Sequence, residues 1–118
     1  MIDRSWAEAF AKEWVANWNA RDLDALLSHY SPSVVFRSPL ISGVLGQHRS
    51  YVAGIGQLRD YWQQALSANK ELHFDLTQVL VGSDAITIYY RNHRRQDVAE
   101  TLVFGKDLKA IEGIVTYS

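Results

Sequence analysis

The chain has 118 residues, 47% of them hydrophobic, and a formal net charge of −1, the size and make-up of one globular domain over residues 1–118. It has no cysteine, which excludes disulfides, thiolate metal sites and cysteine nucleophiles. No segment approaches the roughly 20 apolar residues that span a bilayer, and the only clustered cations, Arg91, Arg94 and Arg95, are too few to hold nucleic acid through its phosphates.

The opening stretch, MIDRSWAEAF, carries charges at positions 3 and 4 and no apolar run, so it does not read as a signal peptide. A soluble cytoplasmic protein with no membrane or nucleic-acid partner is expected. Four Trp, six Tyr and four Phe predict a strongly aromatic core or an aromatic-lined cavity.

Residues 5–20 predict a helix. Ser5 with Glu8 fits a capping box, and Trp6, Ala7, Phe10, Ala11, Trp14 and Trp18 fall on one stripe at helical spacing. Asp22 is placed to cap a second helix running to about Tyr30, with Leu23, Leu26, Leu27 and Tyr30 inward. Pro32 is expected to end it, because proline lacks the N–H and disfavours helix in the residue before it.

Val34–Ser38 predicts a short strand stopped by Pro39. Residues 40–54, with three glycines and no clean period, predict a long loop with a short strand or turn inside. Ile55–Asn69 predicts a third helix with Leu58, Tyr61, Trp62, Ala65 and Leu66 inward. Four strands follow, over Leu72–Val81, Ala85–Asn92, Asp97–Phe104 and Ala110–Tyr117, as an antiparallel meander. The order predicts an α+β fold with helices on one face of a curved sheet.

The segment DLDALLSHY over residues 22–30, the nine-residue step from Tyr30 to Pro39 and the terminal strand holding Ile111 and Tyr117 resemble the ketosteroid isomerases. They resemble equally the wider nuclear-transport-factor-like superfamily, including its SnoaL-like cyclases. The resemblance spans nearly the whole chain and implies one SnoaL-like domain. The implied shape is a cone, a curved antiparallel sheet wrapped around the N-terminal helices in a cystatin-like α+β barrel, with a pocket at one end. It also implies a homodimer through the outer sheet face, an expectation supported by the apolar ITIYY and LTQVLV segments. The fold hosts isomerases, cyclases, dehydratases and plain binding modules, so it does not by itself assign a reaction.

Matched by position, the isomerases' proton-shuttling Asp before the strand-ending proline falls at Ser38, which cannot act as a base unaided. Their first-helix Tyr falls at Trp14 and a supporting third-helix Tyr at Trp62. The Tyr at the end of the second helix is kept as Tyr30, and the oxyanion-holding acid falls at Glu100.

Glu100 is the candidate catalytic residue. It shares a strand face with Val98, Leu102 and Phe104, and a carboxyl in apolar surroundings is held toward its neutral form. The alternative is a structural ion pair: with a turn centred on Arg94-Arg95, Tyr89 lies opposite Glu100 and Arg91 diagonal to it. Trp14, Trp18, Tyr30, Phe36, Ser38, Tyr61 and Trp62 are the candidate ligand-binding wall; Trp14, Trp18, Phe36, Tyr61 and Trp62 are also readable as core, and Ser38 as a strand-end residue before proline. His29 is read as exposed, His73 as a surface or dimer-face residue, and His48 and Tyr51 as lying in solvent or over the pocket mouth.

No H-x-H or H-x₃-H spacing points to a metal. The expected ligand is small, apolar and ring-bearing, and the chemistry in question needs no cofactor. Two readings stay open: a cofactor-free isomerase, cyclase or dehydratase working through Glu100, and a binding or assembly module that lost its base at Ser38.

Overall fold

A computed structural model of the protein describes residues 1–46 and 48–118. Helix α1 spans Arg4–Asn19 and buries Ala7, Phe10, Ala11, Trp14, Val15 and Trp18 along the predicted stripe. Its cap is Asp3, whose carboxylate accepts from the Trp6 N–H at 2.9 Å. The Ser5–Glu8 box is therefore not formed; an aspartate two residues earlier satisfies the orphan N–H first.

Asp22 caps α2 as expected, accepting from the Ala25 N–H at 3.1 Å. But α2 is only Leu23–Leu27, and Tyr30 opens strand β1, Tyr30–Arg37. The cause is tertiary. Tyr30 pairs in parallel with Ala110, whose N–H donates to the His29 carbonyl at 2.9 Å, and a distant strand overrides local helix preference. Pro32 falls in the irregular part of β1, where the register against the last strand shifts between Tyr30 and Val35. There it removes no ladder hydrogen bond.

The 40–54 stretch contains helix α3, Ile41–Leu45, and strand β2, Tyr51–Ala53. Gln47 of that stretch lies outside the described residues. Helix α4 runs from Ile55 to Ala68, with Asn69 as its C-cap. Strands β3 (Asp75–Val81), β4 (Ala85–Arg91), β5 (Asp97–Phe104) and β6 (Ala110–Tyr117) form the antiparallel meander.

Strand β3 starts three residues later than predicted because Asn19 takes the strand's entry. Its side-chain amide donates to the Phe74 carbonyl at 2.9 Å, and its carbonyl accepts from the Phe74 N–H at 2.8 Å. The end of α1 is thereby pinned to the sheet.

The six strands form one curved, unclosed sheet in the order β2-β1-β6-β5-β4-β3. All pairs are antiparallel except β1 with β6, which departs from the wholly antiparallel expectation. Gly113 of β6 is required by close packing: a Cβ there would lie 2.9 Å from the Phe36 ring and 3.2 Å from Leu102. The α+β cone is therefore as predicted. Among the described residues, no helix is long and apolar enough to cross a membrane.

Candidate functional site

The inner faces of the strands are set by alternation. In β5, Val98, Glu100, Leu102 and Phe104 point inward and are buried. Glu100 is the polar member of that row, and only 3% of its surface is exposed.

Above it lies a cavity of about 400 Å³. Its walls are Trp18 from α1, Phe36 from β1, and Ser38, Pro39 and Leu40 just after. Ser42 to Val44 from α3 and Tyr61, Trp62 and Ala65 from α4 continue the wall. The sheet side is Tyr90, Glu100, Val115 and Tyr117. A polar edge is made by Asn69 and by Asn92, His93, Arg94 and Gln96 of the β4–β5 turn.

Of the sequence candidates, Trp18, Phe36, Ser38, Tyr61, Trp62 and Glu100 thus meet at one cavity. Trp14 and Tyr30 do not line it. They lie behind the wall, where the Trp14 indole N–H donates to the Tyr30 hydroxyl at 2.9 Å. Trp14 is wholly buried against the rings of Trp18, Phe74 and Tyr90.

Glu100 is not in an ion pair. The turn holds one residue more than the symmetric two-residue turn assumed, with Arg95 in the left-handed region at φ 62°, so the register moves by one. Ile88, not Tyr89, lies opposite Glu100. Arg91 lies opposite Asp97 and pairs with it at 3.5 Å.

With no cation beside it, burial lifts the Glu100 carboxyl to about 8, only partly offset by the Tyr90 hydroxyl, which donates to Oε1 at 3.1 Å. The group is mainly a neutral acid near pH 7. Burial also raises the phenols of Tyr30, Tyr61, Tyr90 and Tyr117, and the nearby Glu100 charge adds to each shift. Of these phenols, which all stay neutral, Tyr90 is the one hydrogen-bonded to Glu100. The nearby Ser38 hydroxyl works against the rise at Tyr61 and Tyr117. It also accepts from the Leu40 N–H at 3.3 Å.

Sequence reasoning missed Tyr90, Tyr117, His93 and Asn69. The first two had a signal: Tyr90 is in phase with Ile86 and Ile88, and Tyr117 with Val115. Arg94, in the turn between β4 and β5, donates to the Asn69 side chain at 3.0 Å and edges the cavity.

The other histidines lie elsewhere. His29 is not exposed but packs on Phe10, with its ring 3.2 Å from the Asn17 side chain. His73 pairs with Asp75 at the surface, and His48 and Tyr51 are exposed away from the cavity. Among the described residues, no three His, Asp or Glu side chains cluster in a way that could hold a metal ion.

A cone of this topology enclosing an aromatic cavity with one buried acid belongs to the nuclear-transport-factor-like class. The family model of the SnoaL-like domain matches residues 11–116, and the chain belongs to that family. A SnoaL-like protein of unknown function from Burkholderia thailandensis E264 is 34% identical, with a TM-score of 0.92 over 100% of this chain and 99% of that one. A steroid delta-isomerase from Pseudomonas aeruginosa is similar in fold, at 20% identity and TM-score 0.70 over 95% and 79% of the two chains. So is AclR, a putative hydroxylase from Streptomyces galilaeus, at 19% and 0.75 over 98% and 91%. No curated protein matches the chain.

Proposed function

We propose that the protein binds a small, apolar, ring-bearing molecule in this cavity and carries out cofactor-free proton transfer on it through Glu100, as an isomerase, cyclase or dehydratase. The observation that carries this reading is the buried, unpaired carboxyl at an aromatic wall. A neutral acid near pH 7 is placed to protonate or polarise a carbonyl oxygen. Having given its proton, the carboxylate keeps the Tyr90 hydrogen bond and takes a proton from a carbon of the same molecule. One group thus serves both halves of a tautomerisation, which matters because Ser38 supplies no base.

The test is conversion of a cyclic β,γ-unsaturated ketone, read as conjugated-enone absorbance. Glu100→Gln is expected to lower the rate at least about a hundredfold, the low end for a general acid–base group. Wild-type activity is expected to fall above pH 8, as the acid form is lost. A variant as active as wild type rejects the assignment.

The second reading, a binding module without turnover, is favoured by Ser38 itself. It predicts tight ligand retention in native mass spectrometry with no conversion by the wild-type protein.

We also propose a homodimer through the outer sheet face. In the single chain, Leu80 and Ile114 are 48% and 43% exposed there, beside the small or uncharged Thr87, Ala99, Thr101 and Val103. The expected sedimentation result at micromolar concentration is a dimer, reduced to monomer by Ile114→Lys; a monomeric wild-type protein rejects it.

A further inference from the structure

Among the described residues, three buried side-chain polar atoms have no hydrogen-bond partner: Trp18 Nε1, His93 Nδ1 and Glu100 Oε2. All three residues line the one cavity. Such groups are rare in folded proteins, because an unpaired buried donor or acceptor forfeits its hydration. Their convergence on one space points to what fills it.

Trp18 is the informative member. It is on the same helix as Trp14 and one turn further along, but the two indoles are used differently. Trp14 gives its N–H to Tyr30. Trp18 gives its N–H to no protein group, although it is 5% exposed. Its ring is fixed edge-on to Trp62 at 5.0 Å and tilted against Phe74 at 5.4 Å, so the N–H direction is set before any ligand arrives. An indole nitrogen only donates. It requires an acceptor on the ligand.

Glu100 Oε1 is taken by Tyr90, leaving Oε2 for the ligand. His93, at the polar edge, is a neutral imidazole that takes either role according to its tautomer, so it does not narrow the ligand further.

Building on the cavity reading above, we propose that the Trp18 indole N–H, on the same cavity as the Glu100 carboxyl, is a donor that fixes the ligand's orientation, and that the ligand is an apolar ring compound carrying a carbonyl-type oxygen to accept from it. A ligand with no oxygen leaves the Trp18 donor unpaired, and sites built to hydrogen-bond an oxygen discriminate against analogues that lack it.

Calorimetric titration with 1,4-naphthoquinone, 1-tetralone and naphthalene tests this, as the three share a bicyclic frame and carry two, one and no oxygens. The quinone and the tetralone are each expected to bind about tenfold or more tighter than naphthalene. Trp18→Phe is expected to weaken quinone binding about tenfold and naphthalene binding by much less, the hydrocarbon serving as a check that the cavity has survived. In the wild-type protein, the Trp18 indole N–H resonance is expected to move downfield with the quinone and not with naphthalene. Equal affinity for quinone and hydrocarbon, or an indole resonance that the quinone leaves in place, overturns the inference while the binding cavity stands. Binding of none of the three probes overturns the inference and the cavity reading together.

Discussion

Glu100→Gln is expected to make the protein more stable at pH 8 than the wild type, and to remove most of the stability loss that the wild type shows as pH rises from about 4.5 to about 8. The unfolded chain releases the Glu100 proton near its ordinary value of 4.5, whereas the folded protein holds it to about 8. Between these values the native state binds one proton more than the unfolded state. Stability therefore falls with rising pH across this window; it is full below the lower value and reaches its floor above the upper one. The gap corresponds to roughly 5 kcal/mol if the whole difference is expressed. Glutamine keeps the shape, still accepts from Tyr90 and carries no charge to desolvate. Urea unfolding of both proteins at several pH values measures the effect. Parallel pH profiles in wild type and variant would show that the carboxyl titrates as if hydrated. A buried acid that weakens its own fold at neutral pH is a cost typical of functional sites, where stability and activity compete.

Trp14→Ala is expected to destabilise the protein by about 3–5 kcal/mol, the range for removing a large aromatic from a core. Trp14 is 0% exposed and touches three rings, Trp18 on its own helix, Phe74 at the entry to β3 and Tyr90 on β4. Its loss opens a void behind the cavity wall and also strips the buried Tyr30 hydroxyl of its donor. Trp14→Phe separates the two contributions. It keeps most of the ring volume, and its loss is expected near 1–2 kcal/mol, the scale of one buried hydrogen bond plus a small void. A drop below 1 kcal/mol for Trp14→Ala in denaturant titration would mean that the aromatic cluster does not hold α1 to the sheet. Because Trp14 stands between Tyr30 and the wall residues, Trp14→Phe is also expected to disturb ligand binding less than Trp18→Phe.

Much of this was legible in the residues. The stripe from Ala7 to Trp18, the Asp22 cap, the break at Pro39 and the alternation of Val98, Glu100, Leu102 and Phe104 are local patterns, and local patterns carry element type and facing. What failed was decided by partners far away in the chain or by a backbone conformation that side-chain pattern does not mark. Tyr30 reads as the last turn of a helix until Ala110 takes it into a sheet. The pairing of Glu100 slipped by one residue because a left-handed Arg95 lengthens the turn, and no charge or hydropathy pattern marks that conformation. That slip changes the chemistry: it moves Arg91 onto Asp97 and leaves Glu100 without a cation. The split between Trp14 and Trp18 was likewise hidden. Both fall on the buried stripe, and only the position of the Tyr30 hydroxyl decides which indole is left for a ligand.

The most direct measurement is the titration of the Glu100 side-chain carboxyl by carbon-detected NMR, with Glu100→Gln to assign the signal. The predicted midpoint is about 8, and the signal moves when 1,4-naphthoquinone is added. A midpoint near 4.5, unaffected by any ring compound, would contradict a buried acid facing a ligand cavity.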